Sequence, residues 1–192
     1  MAIPIARHLG ASRICTTAGS NESGCDLMER LKIRQENILY YAGLKPEEMA
    51  ERLLVMQGGR PFDVACDFVG GDMKQLCSEL LACQGHMATI VLDDPSESLL
   101  RAKSLRATAL AKKSLSLHVV ALFAEAASGQ RTAQTCYQRD LKELAQLVDS
   151  GALPVSTPQV VGPLSLSSVR TAHDLLESHR VKGKLVLSAR EG

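Results

Sequence analysis

The amino-acid sequence predicts an α/β fold: a Rossmann-like, doubly wound and largely parallel sheet. Three observations predict it. Short apolar or β-branched runs alternate with helical patterns along the chain. Most of those runs close on glycine or on an acidic turn with proline. Hydrophobic residues make up 45% of the 192 residues, yet aromatics only 3% with no Trp, so the core is aliphatic, as the inside of a parallel sheet is.

The elements follow in order. Residues 13–18 (RICTTA) form a strand closed by Gly19-Ser20. Residues 25–31 place Leu27, Met28 and Leu31 on one helical face. Residues 37–41 (NILYY) form a second strand, closed by Ala42-Gly43. Pro46-Glu47-Glu48 starts a helix, with proline in the first turn and acids on the positive end of the dipole. That helix buries Met49, Leu53 and Met56 and stops at Gly58-Gly59. Residues 62–69 (FDVACDFV) are the third strand, ending at Gly70-Gly71. Met73, Leu76, Cys77, Leu80 and Leu81 then recur at helical spacing, and Gly85 ends that helix within a turn. Residues 87–92 (MATIVL) are a strand covered on both faces, closed by Asp93-Asp94-Pro95.

The next stretch, 97–111, is Leu- and Ala-rich and reads as helix or loop. Residues 115–123 (LSLHVVALF) are a strand candidate, and residues 126–135, small and polar, read as a loop. Tyr137, Leu141, Leu144 and Val148 mark a helix ending at Gly151. A short strand over 157–161, a helix over 168–177 and a strand over 183–188 complete the chain. In parallel sheets ligands bind beyond the carboxyl ends of the strands, so the turns there are the places to look.

Composition excludes several classes. Twenty-two basic against 21 acidic residues, a formal charge of +1, leaves no electrostatic footprint for nucleic acid or an anionic membrane. No window reaches the roughly 20 apolar residues that span a bilayer. The first ten residues lack an apolar core followed by a small-residue cleavage site, so they do not read as a signal peptide. The six cysteines include no C-x-x-C pair and lie in apolar runs, which predicts reduced core thiols, a cytoplasmic protein and no zinc. The five histidines (His8, His86, His118, His173 and His179) are scattered and read as structural or surface residues; no Ser-His-Asp set assembles.

The order of these segments resembles the cofactor domain of the medium-chain dehydrogenase/reductases, in their zinc-independent, quinone-oxidoreductase-like branch. Five stretches carry the resemblance: 6–19 (ARHLGASRICTTAG), 58–71 (GGRPFDVACDFVGG), 85–90 (GHMATI), 141–153 (LKELAQLVDSGAL) and 172–187 (AHDLLESHRVKGKLVL). They lie in the family's order and cover almost the whole chain. No single one is decisive; the ordered set is what is specific.

The resemblance implies an NAD(P)H-dependent oxidoreductase that passes a hydride to a quinone, an enone or a related carbonyl. It implies NADPH as cofactor, with NADH as the alternative, because the turn Thr17-Ala18-Gly19-Ser20 falls where relatives hold the adenosine ribose and any 2′-phosphate. Where many relatives place a lysine, this chain has Asn21-Glu22-Ser23-Gly24. Tyr41 matches a tyrosine near the adenosine phosphate, and Val69-Gly70 a turn that runs past the cofactor. Ile90 and Leu122 match later turns near the cofactor and nicotinamide. Lys184 matches a position close to the pyrophosphate. The strand candidate from Leu115 through Phe123 matches one that extends the sheet across a homodimer interface, with Val119 and Val120 as contacts. No catalytic acid can be named.

By the same resemblance, residues 1–155 are a partial NAD(P)-binding domain and 156–192 a C-terminal return of helix and strand. The sequence contains no G-x-G-x-x-G, the loop that lets a backbone approach a pyrophosphate. Set on the family's strand order, 3-2-1-4-5-6, the chain lacks strand 1, the central one. It therefore reads as an N-terminally shortened member that binds NADPH weakly or not at all by itself. The two strands beside the missing one must pair directly, recruit another chain, or stay open. The alternative reading is a non-catalytic remnant or interaction module that keeps the scaffold.

Overall fold

A computed structural model describes residues 2–91, 109–129, 131–155, 158–178, 181 and 183–189. Helix α1 (Ala2–His8) leads to strand β1 (Thr16–Ala18), helix α2 (Asn21–Leu31), a 3-10 turn (Gln35–Asn37) and strand β2 (Ile38–Tyr40). β1 and β2 are parallel and in register, Thr16 opposite Ile38 and Ala18 opposite Tyr40. Ser20 caps α2, its hydroxyl accepting the Ser23 N–H at 3.2 Å. At the other end the Arg7 guanidinium donates to the carbonyls of Leu31 and of Lys32, the latter at 2.9 Å. That charge sits on the negative pole of α2 and ties α1 to it.

Helix α3 (Pro46–Met56) starts where the sequence places it. Glu48 Oε2 accepts the Lys45 N–H at 2.9 Å, satisfying a backbone donor that a helix start leaves open. Strand β3 (Phe62–Asp67), helix α4 (Asp72–Leu80) and strand β4 (Leu81–Thr89) follow. Leu39, Met49, Leu53, Leu76 and Leu80 form one buried cluster across β2, α3 and α4. Burying each of these side chains contributes about 1.5–3 kcal/mol.

Between residues 80 and 135 the structure departs from three expectations. The helical spacing carries the helix through Leu81, but α4 ends at Leu80 and Leu81 is extended, wholly buried and opposite Phe62. A leucine fits the apolar face of either element, so periodicity alone cannot place the boundary. The chain then bulges before the ladder resumes with His86 opposite Val64. Gln84 takes a left-handed φ of 62° in the bulge, and its N–H reaches the Lys113 carbonyl at 2.7 Å. Gly85 is therefore a strand residue, not a helix terminator. A Cβ there would lie 3.0 Å from the Ala82 carbonyl oxygen and 3.1 Å from Leu81 Cβ.

After helix α5 (Ala109–Lys112), strand β5 is only Ser116–Val119. The strand expected over 115–123 stops there because Leu122 begins helix α6 (Leu122–Ala127), and helix α7 (Arg131–Asp149) takes up much of the expected loop. The alanines of this stretch are strong helix formers, and Gly129 at φ 67° divides the two helices. Strand β6 (Gln159–Pro163), helix α8 (Leu166–Glu177) and strand β7 (Leu185–Ser188) close the fold. Leu92, the stretch 92–108, Thr157 and His179 lie outside the described residues.

Every strand pairing among the described residues is parallel, but the strands form three sheets: β1-β2, β3-β4-β5 and β6-β7. β1 and β3, the strands expected to face one another across a missing position, share no ladder there. The apolar cluster on α3 and α4 joins the first two sheets by packing alone.

Candidate functional site

The carboxyl ends of the first two sheets gather most of the residues singled out from sequence. At the first, β1 runs Thr17-Ala18 into Gly19-Ser20, and the Tyr41 N–H donates to the Ala18 carbonyl at 3.1 Å. Tyr41 lies over Gly19: a Cβ at residue 19 would come 3.0 Å from the Tyr41 Oη. A side chain there would push the Tyr41 ring aside, so glycine keeps that approach as it stands. Ser20 is occupied in capping α2, whose first turn carries the Glu22 carboxylate.

At the second sheet, β3, β4 and β5 end level, with Asp67 opposite Thr89 and Thr89 opposite Val119. The following residues Val69, Ile90 and Leu122 expose most of their side chains there. Gly70, by contrast, is buried and takes a left-handed φ of 84°, which glycine adopts without strain. Lys184 is placed differently. It precedes β7, is exposed, and its carbonyl accepts the Gln159 N–H at 2.9 Å, so it stands at the amino end of its own parallel pair.

Beneath the Val69-Gly70 turn lies a polar group that sequence reasoning missed. Asp67 is buried, and its Oδ1 accepts the N–H of Val69 at 3.0 Å and of Gly70 at 2.8 Å. Its Oδ2 accepts the Thr89 hydroxyl at 2.9 Å. Lys74, also buried, donates from Nζ to the Val91 carbonyl at 2.8 Å and lies 3.9 Å from Asp67 Oδ2. A buried charge keeps its place only when so paired and hydrogen-bonded. One signal was present: an aspartate two residues before Val69 suits a turn in which its side chain takes amides further on. Lys74 carried none, since a lysine on a helix is ordinarily solvated.

This arrangement directs what the turn can do. Both amides face the Asp67 carboxylate, so the surface above presents apolar side chains rather than donors. It suits the flat, weakly polar part of a ligand, while anionic groups need other partners. Cys77 lies beside the same group. Burial first, then the Asp67 and Cys66 charges, push its thiol up to about 12, so it is protonated and unreactive at neutral pH. Among the described residues, no three His, Cys, Asp or Glu side chains come together to hold a metal ion.

Residues 46–187 match a protein family described as zinc-binding dehydrogenase. A highly reducing polyketide synthase of Emericella nidulans is 27% identical over 97% of this chain, which spans only 7% of that protein. The chain is similar throughout its length to a zinc-dependent alcohol dehydrogenase-like structure from Rhizobium etli, with 22% identity, a TM-score of 0.74 and 51% of that chain covered. It is also similar to the nucleotide-binding subdomain of an enoylreductase domain from Mycobacterium tuberculosis: 27% identity, TM-score 0.59, 81% of this chain and 78% of that one. A mycobacterial protein solved with NADPH aligns with 96% of this chain and 51% of its own at 24% identity and a TM-score of 0.64. The chain thus spans a small part of the curated relative and about half of two of these three solved chains.

Proposed function

Because the chain belongs to the zinc-binding dehydrogenase family of the medium-chain dehydrogenase/reductase superfamily, we propose that it is the cofactor-binding part of an NAD(P)H-dependent oxidoreductase, quinone-oxidoreductase-like, reducing a quinone, enone or related carbonyl. The bound nicotinamide would supply the hydride. The observation that carries the reading is the open approach of Tyr41 over Gly19, at the carboxyl end of a parallel pair. In this reading Thr17, Ala18, Gly19, Ser20 and Tyr41 take the adenosine end of the cofactor. Val69, Gly70, Ile90 and Leu122 offer it an apolar bed, held in shape by Asp67. The NADPH in the mycobacterial neighbour supports NADPH here, whereas Glu22 on the first turn of α2 weighs toward NADH by repelling a 2′-phosphate.

Similarity to an enoylreductase subdomain and to a polyketide synthase favours a conjugated, α,β-unsaturated acceptor within that substrate class. The family description names zinc, but the described residues offer no three-ligand site, and no step of this reading passes through a metal. A titration of the chain with NADPH, followed by nicotinamide fluorescence, tests the reading. Weak but saturable binding, well above the micromolar range, that NADH competes for and that Gly19→Val weakens further, is the expected result. No saturable binding of either nucleotide overturns it in favour of a non-catalytic interaction module.

A further inference from the structure

Among the described residues one face of the β3-β4-β5 sheet is open, so β4 is not covered on both faces as its apolar run suggests, and on that face two imidazoles meet. Register places His86 beside Val64 and Ser116, and His118 one pair further along, beside Ala88. Residues directly opposite one another share a face, so Val64, Cys66, His86 and His118 stand on the same side. Both histidines are exposed. His86 Nδ1 lies 3.2 Å from His118 Nε2. The ring centroids are 5.5 Å apart and the planes 22° from parallel. The difference between the two distances is what two imidazole radii occupy. The rings therefore meet edge to edge, nitrogen pointing at nitrogen, and one proton serves the contact.

From this geometry we infer that His86 and His118 form a two-histidine binding site for a borderline divalent cation such as Ni²⁺, Cu²⁺ or Zn²⁺, bridging strands β4 and β5. Imidazole is a good ligand for these ions. Two imidazole nitrogens bound at about 2.0–2.1 Å lie about 3.3 Å apart on a tetrahedral ion such as Zn²⁺ and about 2.9 Å apart at adjacent corners of a square or octahedral one such as Cu²⁺ or Ni²⁺. The pair already stands at 3.2 Å. What must change is direction: each ring tilts by roughly 35–40° so that both lone pairs converge on one point, a rotation that the soft terminal torsion of histidine permits. For both inward nitrogens to bind, the proton between the rings must leave them, and the outward nitrogen of the ring that carries it can take it. Solvent fills the remaining positions, since no third protein ligand is in place among the described residues. The site differs from a catalytic zinc centre, which uses three protein ligands. Its effect is a cross-strand staple on the short strand β5, where α6 and Leu122 begin.

Calorimetric titration with Ni²⁺, repeated with Mg²⁺, tests the assignment on wild-type protein, His118→Gln, the double variant His86→Gln/His118→Gln and Cys66→Ser. Loss of a second-shell partner alone weakens metal binding about 10–100-fold, so loss of a ligand should cost at least tenfold. Wild type and Cys66→Ser should bind one Ni²⁺ alike, and Mg²⁺ should not bind. Both histidine variants should bind at least tenfold more weakly. Ni²⁺ should raise the unfolding temperature of wild type and not of the double variant, whose circular dichroism should match wild type. Equal Ni²⁺ affinity in wild type and double variant overturns the assignment, as does loss of binding in Cys66→Ser.

Discussion

Lys74 Nζ stands 3.9 Å from Asp67 Oδ2, with both side chains almost wholly withdrawn from water. Each depends on the other, because removing one partner leaves an uncompensated charge in the interior. Asp67 also takes the amides of Val69 and Gly70. Asp67→Ala should therefore destabilise the chain by about 3–5 kcal/mol in a urea titration. Asp67→Asn/Lys74→Met, which removes both charges and keeps a carbonyl acceptor, should recover a good part of that loss. A double variant no more stable than Asp67→Ala would show that the two residues do not act as a pair.

Gly19 and Tyr41 separate binding from stability. A Cβ at residue 19 falls 3.0 Å from the phenol oxygen, and the half-exposed Tyr41 ring can give way. Gly19→Ala should leave the urea midpoint nearly unchanged yet weaken NADPH binding by about tenfold, or about 1.4 kcal/mol. A lowered midpoint with unchanged binding would place Gly19 in the scaffold alone.

Leu53 and Leu76 belong to the apolar cluster that spans α3 and α4. Truncating either to alanine should cost about 2–5 kcal/mol. Because that cluster joins the first two sheets, both should lose structure together. This can be read as a single unfolding transition from probes placed in β1 and in β4. Two separated transitions in Leu53→Ala would show that the sheets fold independently.

Cys77 gives a pH dependence of defined sign. Burial, the leading cause, raises its thiol to about 12 from an ordinary value of 9.0. The folded state thus holds this proton more tightly than the unfolded chain does. Its contribution to stability is complete below about pH 9 and is lost as pH rises toward 12. Urea midpoints measured from pH 8 to 11 should fall, and Cys77→Ala should flatten the fall. The apolar runs around the cysteines suggest core thiols, but Cys25, Cys66, Cys83 and Cys136 are exposed, and at pH 8 alkylation should mark Cys25 and Cys136 well before Cys77.

Much of this fold is legible because its local signals agree. Pro46 with two acids fixes the start of α3, and Gly58-Gly59, both at positive φ, its end. Where a residue suits two elements, the sequence is silent. Leu81 fits a helix face as well as a buried strand, and the alanines of 122–135 fit helix as well as loop. The positions of the carboxyl-end turns were legible for the same reason as the strands, since each turn follows from where its strand stops. The closeness of Gly19 to Tyr41 was not, because it depends on the register of β1 with β2. Neither was the pairing of Lys74 with Asp67, which only the packing of α4 against β3 creates.

The donors of the Val69-Gly70 turn are already taken by the carboxylate beneath it. A molecule resting above would therefore be held there by shape rather than by a hydrogen-bond address, and its position along that bed would have to be set by whatever grips its other end.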